Sequence, residues 1–152
     1  MSTILILDDN PDDLVELAEF LYYGLDIDNL KIIGTSNTFE AACVIAENSA
    51  DVAIINISCF PFPQSIGDGL ARLSMDNNIG TILISPCLSD LRYSALCWQN
   101  ADFWVHKDDT FQSYRTILGE VRYLLRQRDN PLALVITTAA DTINQCAIEA
   151  VR

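Results

Sequence analysis

Five short runs of aliphatic and β-branched residues, separated by segments with helical spacing, constrain this sequence more than anything else in it. They are TILIL at residues 3–7, the stretch from Leu30 to Gly34, VAIINI from Val52 to Ile57, TILIS from Thr81 to Ser85, and DFWVH from Asp102 to His106. Runs this continuously apolar are those of strands covered on both faces, because a half-exposed strand alternates apolar with polar. Between them lie helical patterns. Asn10 followed by Pro11 is an N-cap with proline in the first turn, and Leu14, Leu17, Ala18 and Leu21 then recur at helical spacing until Gly24. A second helix opens at Thr38 and carries Ala42, Val44, Ile45 and Ala46. A third spans about Gly69 to Met75, a fourth Ser89 to Gln99, and a fifth Thr110 to Arg128. Five such strands alternating with five helices predict an α/β domain with a doubly wound parallel sheet, and right-handed crossovers leave it few topologies.

The bulk properties narrow the function. With 152 residues, half of them apolar, the chain is long enough for one compact core. No apolar run reaches the roughly 20 residues that span a bilayer, and MSTILILDDN has no basic flank or long apolar core of a secretory signal, so a cytoplasmic location and no membrane partner are expected. The five cysteines show no metal-binding spacing and sit in or beside apolar segments, as small buried hydrophobes do. His106 stands alone, which excludes a histidine metal cage and leaves no poised nucleophile–base pair, so no enzyme is expected. A net charge of −12 argues against a nucleic-acid partner. The late cluster Arg115, Arg122, Arg126 and Arg128 reads as the basic end of a helix.

In sheets of this kind the crevice lies at the carboxyl ends of the strands. The polar residues there are Asp8 and Asp9 after the first run, Asn56 in the third, Ser85 ending the fourth and Lys107 after the fifth. Two adjacent carboxylates at the mouth of a buried strand are either solvated loop acids and helix caps or oxygen ligands for a cation such as Mg²⁺. Lys107 either neutralises that crevice or is an ordinary surface lysine.

The segments ILILDDNPDD, DVAIINI, TILIS and ADFWVHKD, in this order and spacing, resemble the receiver domain of two-component response regulators. The resemblance covers residues 3–128 and implies a flavodoxin-like (βα)5 fold with a five-stranded sheet. It divides the chain into a receiver-like domain, 1–128, and a C-terminal extension, 129–152. It implies that Asp8 and Asp9, with the Ser58 carbonyl, stand where the family holds Mg²⁺, and that Ser85, Trp104 and Lys107 stand at its switch positions. Trp104 has a second reading as an ordinary core aromatic.

The departures from the family matter more. Five residues after Asp51, where the resemblance places the phosphate-accepting aspartate, this chain has Asn56. An acyl phosphate needs a carboxylate nucleophile, which a carboxamide does not supply. Loss of one of three negative charges also leaves only a weak, vestigial Mg²⁺ site. The loop SCFPFPQSIGDG, from Ser58 to Gly69, is longer than the family's, and Asp108 stands where a proline is expected. An engineered Asp-to-Asn change would account for Asn56 but not for the loop or the missing proline.

Phe60 and Phe62, held by Pro61 and Pro63, are either a partner-binding patch or a cover for the crevice. The extension, with LALVIT from Leu132 and Ile143, Ala147, Ile148 and Val151 on one face, suits packing, dimerisation or the start of a further region. The expected function is therefore that of an atypical receiver in signal transduction that binds a protein partner (a kinase, an output protein or a second copy) without phosphorylation. The alternative is a switch answering to a ligand, Mg²⁺ or redox at Cys59.

Overall fold

The computed structural model describes residues 1–56, 63–85, 101–107 and 110–129. They form β1 (Ser2–Leu7), α1 (Pro11–Leu25), β2 (Leu30–Thr35), α2 (Thr38–Ala46), β3 (Val52–Asn56), α3 (Pro63–Asp76), β4 (Gly80–Ser85), β5 (Phe103–His106) and α4 (Thr110–Asp129). The expected helix over Ser89–Gln99, the aromatic loop residues Phe60 and Phe62, Ser58, and the extension beyond Asp129 lie outside the described residues. All five strands are parallel, in the order β2-β1-β3-β4-β5. That order is the flavodoxin-like arrangement, with its switch point between β1 and β3.

Because successive side chains point to opposite faces, each central strand supplies both halves of the core. Ile4, Ile6, Val52, Ile54, Ile82 and Ile84 pack with Leu17, Leu21 and Leu25 of α1 and Ile117 and Val121 of α4. Leu5, Leu7, Ala53, Ile55 and Leu83 pack with Ala41 and Ile45 of α2 and Leu70 and Ala71 of α3. Among the described residues two helices cover each face, and the strands carry almost no polar residue until their ends.

Asn10 caps α1, its side chain accepting from the Asp12 N–H, and Pro11 follows at the first position. Asn37 caps α2 in the same way. Gly24 does not end α1 as expected from its sequence. The helix runs one residue further and stops at Asp26, which takes the left-handed conformation. Gly24 serves close packing instead: a Cβ there would lie 2.9 Å from a methyl of Leu118, so its bareness lets α4 approach. On α2 the buried residues are Ala41 and Ile45, while Ala42 and Val44 are half-buried and Ala46 is exposed.

The third helix also departs from expectation. It begins at Pro63, not near Gly69, so the second half of the presumed loop is helical. Proline is favourable in a first turn, where its missing N–H has no helical partner to lose, and the two glycines weaken but do not break the helix.

The other end of the sheet is fastened by two aspartates. Asp51 accepts the Thr3 N–H at 2.6 Å and pairs with Arg128 at 3.1 Å, tying β1, β3 and the end of α4. Asp102 accepts the Thr81 N–H at 2.7 Å, setting β5 against β4.

Candidate functional site

The carboxyl ends of β1, β3, β4 and β5 bring Asp8, Asn56, Ser85 and Lys107 to one edge of the sheet. Asp8 and Asn56 are each only 3% exposed, and Ser85 is buried beside them at the end of β4. The Asn56 amide donates from Nδ2 to Asp8 Oδ2 at 3.0 Å. The other Asp8 oxygen accepts the N–H of Asn10 at 2.9 Å, so the same carboxylate supports the entry into α1. Both oxygens of the buried carboxylate are thus satisfied by protein donors, which offsets the cost of its burial. Asp9, the next residue, is exposed.

Lys107 enters the crevice from the end of β5, where its N–H donates to the Ser85 carbonyl at 2.9 Å. Its ammonium donates to Asp13 and stays 3.9 Å from Asp8. Asp13 is the residue that sequence reasoning missed. The first turn of α1 points it at the one lysine of the crevice.

Tyr114 of α4 completes the arrangement, its hydroxyl donating to the Asp13 carbonyl at 3.3 Å. Burial pushes its phenol from 10.0 up to about 12, helped by the negative charges of Asp13, Glu16 and Asp8. Trp104 lies half-buried on β5 opposite Leu83, its ring packed against the Leu5–Leu7–Ala53 side of the core. Its Nε1 is buried and has no hydrogen-bond partner among the described residues.

The donor set does not suit a tight Mg²⁺ site. Mg²⁺ binds through one or two carboxylates with several waters, but here both Asp8 oxygens already accept protein donors and the third position presents an amide N–H. Among the described residues no three histidine, cysteine, aspartate or glutamate side chains are gathered for a metal.

The comparisons with known proteins bear on the fold. No protein-family model matches the sequence, and neither does any curated protein. Solved structures do. A CheY-like response-regulator receiver domain protein from Methanospirillum hungatei is 17% identical, with a TM-score of 0.67 over 85% of this chain and 98% of that one. The receiver domain of the TMAO respiratory system response regulator TorR is 19% identical, with a TM-score of 0.65 over 84% and 98%. The fold is that of a response-regulator receiver. Identities this low carry the receiver architecture and nothing finer, since a de novo designed Rossmann 2x3 protein, 9% identical, reaches a TM-score of 0.63 over 81% of this chain and 91% of its own. Among the described residues no helix is long and apolar enough to cross a membrane.

Proposed function

We propose that this chain is a signalling module on the receiver fold that works by binding a partner protein, without forming an aspartyl phosphate. The observation that carries the reading is the hydrogen bond from Asn56 to Asp8. At the end of β3, beside the acids of β1 and within the crevice that Lys107 enters, the side chain is an amide that donates its N–H to the neighbouring carboxylate. It has no carboxylate nucleophile to offer. The crevice is held in one arrangement by its own contacts: Asn56 on Asp8, and Lys107 on Asp13. Such a crevice serves as a fixed support for the protein surface around it.

The test is tryptophan fluorescence during titration with Mg²⁺ and then beryllofluoride, an aspartyl-phosphate mimic, with Asn56→Asp beside the wild type. A silent wild type and a responsive variant support a crevice whose only missing part is the acceptor. A wild type that responds to beryllofluoride has another acceptor, and the reading fails.

A further inference from the structure

On the face formed by α1 and α4 the chain has an aromatic hollow of about 650 Å³, which shares Tyr114 with the strand-end crevice. Phe20, Tyr23, Phe111 and Tyr114 line it, with Glu16 and Glu19 on the α1 rim. Phe20 meets Phe111 edge-on at 6.1 Å and Tyr114 at 5.7 Å. Two of these rings face solvent widely, Tyr23 at 79% and Phe111 at 62%. Aromatic groups exposed together around a concavity are a mark of association surfaces, since each leaves a large apolar area in water.

The charges around the hollow select its occupant. The α1 rim is acidic, with Asp12, Glu16 and Glu19 exposed or nearly so along one helix. The α4 side is basic: Arg115 lies beside Phe111, and Arg122 donates to the carbonyl of Gly24, which lines the hollow. The Arg115 guanidinium sits 5.9 Å from the centre of the Phe111 ring, at the edge of the hollow. A partner for this face has to bring cations to α1 and anions to α4. We propose that the partner is a second copy of this chain, docked through the same face.

A two-fold axis running along the hollow, parallel to the helices, sets α1 of each copy on α4 of the other. Each acidic rim then meets a basic rim twice, and the two aromatic clusters close on one another. Elsewhere a net charge of −12 makes copies repel, so a face that pairs opposite charges is where association is favoured. Helices of 15 and 20 residues are about 22 and 30 Å long, and the face they share is of the order of the ~800 Å² per partner of a standard interface. This inference is independent of the function proposed above, because it uses neither Asn56 nor Lys107.

Sedimentation velocity of the full chain, as wild type, Glu19→Arg, Arg115→Glu and an equimolar mixture of the two variants, tests it. Wild type is expected to dimerise at roughly micromolar concentration. Each variant alone should associate at least about tenfold more weakly, because Glu19→Arg sets a cation towards the partner copy's basic side and Arg115→Glu sets an anion towards its acidic side. The mixture should recover dimers, as heterodimers, since each variant then supplies what the other lacks. Circular dichroism checks that both variants are folded. Phe111→Ala should also weaken association, without any change of charge. A monomeric wild type overturns the inference, whether residues 130–152 or a different protein then fill the hollow. So do variants that dimerise like wild type, or a mixture that stays monomeric.

Discussion

Asn56 and Asp8 are joined across the two central strands of the sheet by a single hydrogen bond of 3.0 Å, and both are almost wholly buried. The pair is neutral plus anion, with the amide donating. Replacing the amide by a carboxylate turns the donor into a second acceptor of like charge, within contact distance of the first.

Asn56→Asp should therefore destabilise the metal-free protein by about 1–3 kcal/mol at neutral pH, through the lost donor and the added repulsion. Millimolar Mg²⁺ should return much of that loss in the variant and little in the wild type, because a cation relieves the repulsion it binds to. Urea denaturation of both proteins with and without Mg²⁺ measures this. Equal stability of the two metal-free proteins would mean that the 3.0 Å contact contributes nothing.

Lys107 ties the end of β5 to the first turn of α1 through Asp13, with Asp8 at 3.9 Å. Lys107→Met keeps the length of the side chain and removes its charge, leaving two partly or wholly buried carboxylates without their cation. The expected cost is about 1–3 kcal/mol. Asp13→Asn should cost less, because Lys107 retains Asp8 nearby and the amide still accepts a hydrogen bond. Denaturation midpoints in the reverse order would show Asp13, not Asp8, to be the carboxylate that needs the lysine.

Much of this arrangement was legible in the sequence, for identifiable reasons. The strands were, because burial on both faces forces unbroken apolar runs such as TILIL and TILIS. Asn10 with Pro11 fixed the start of α1, since few other residue pairs suit an N-cap and first turn so well. Asp8, Asn56, Ser85 and Lys107 converge as expected because each follows directly from the end of a strand. What stayed hidden depends on contacts distant in sequence or on left-handed turns. Gly24 looked like a helix stop, but its role is to admit Leu118, 94 positions later, while Asp26 makes the stop in a conformation that aspartate tolerates. The start of α3 at Pro63 was masked by Gly67 and Gly69, whose low helix propensity weakens the helical pattern of the segment without ending the helix. The pairing of Lys107 with Asp13 depends on side-chain direction, which spacing alone does not decide.

Asp51 makes a prediction at the opposite end of the sheet. Its two oxygens divide their work between the Thr3 N–H and the Arg128 side chain. Asp51→Ala strands a backbone donor at the start of β1 and should cost about 1–3 kcal/mol. Arg128→Ala removes only an exposed ion-pair partner and should cost about 0.2–1 kcal/mol. Thermal or urea unfolding separates these outcomes, and equal costs would locate the value of Asp51 in the ion pair instead of the strand.

Tyr114 gives the structure a signature at high pH. Burial and the nearby carboxylates hold its phenol neutral up to about 12, against 10.0 for the ordinary group. The raised value means that the folded state keeps the phenolic proton over an interval in which the unfolded chain has already lost it. By linkage the stability contributed by the neutral phenol is fully present below pH 10 and is lost as pH rises from 10 towards 12. Tyr114→Phe keeps the ring in contact with Phe20, gives up the bond to the Asp13 carbonyl, and cannot ionise. The variant should be slightly less stable than wild type at pH 8, while its stability should fall less steeply between pH 10 and 12. Urea unfolding at pH 8, 10 and 11.5, with absorbance at 295 nm to follow phenolate formation in the folded protein, checks both halves. Parallel pH profiles for the two proteins would mean that Tyr114 ionises in the fold as freely as it does in the unfolded chain.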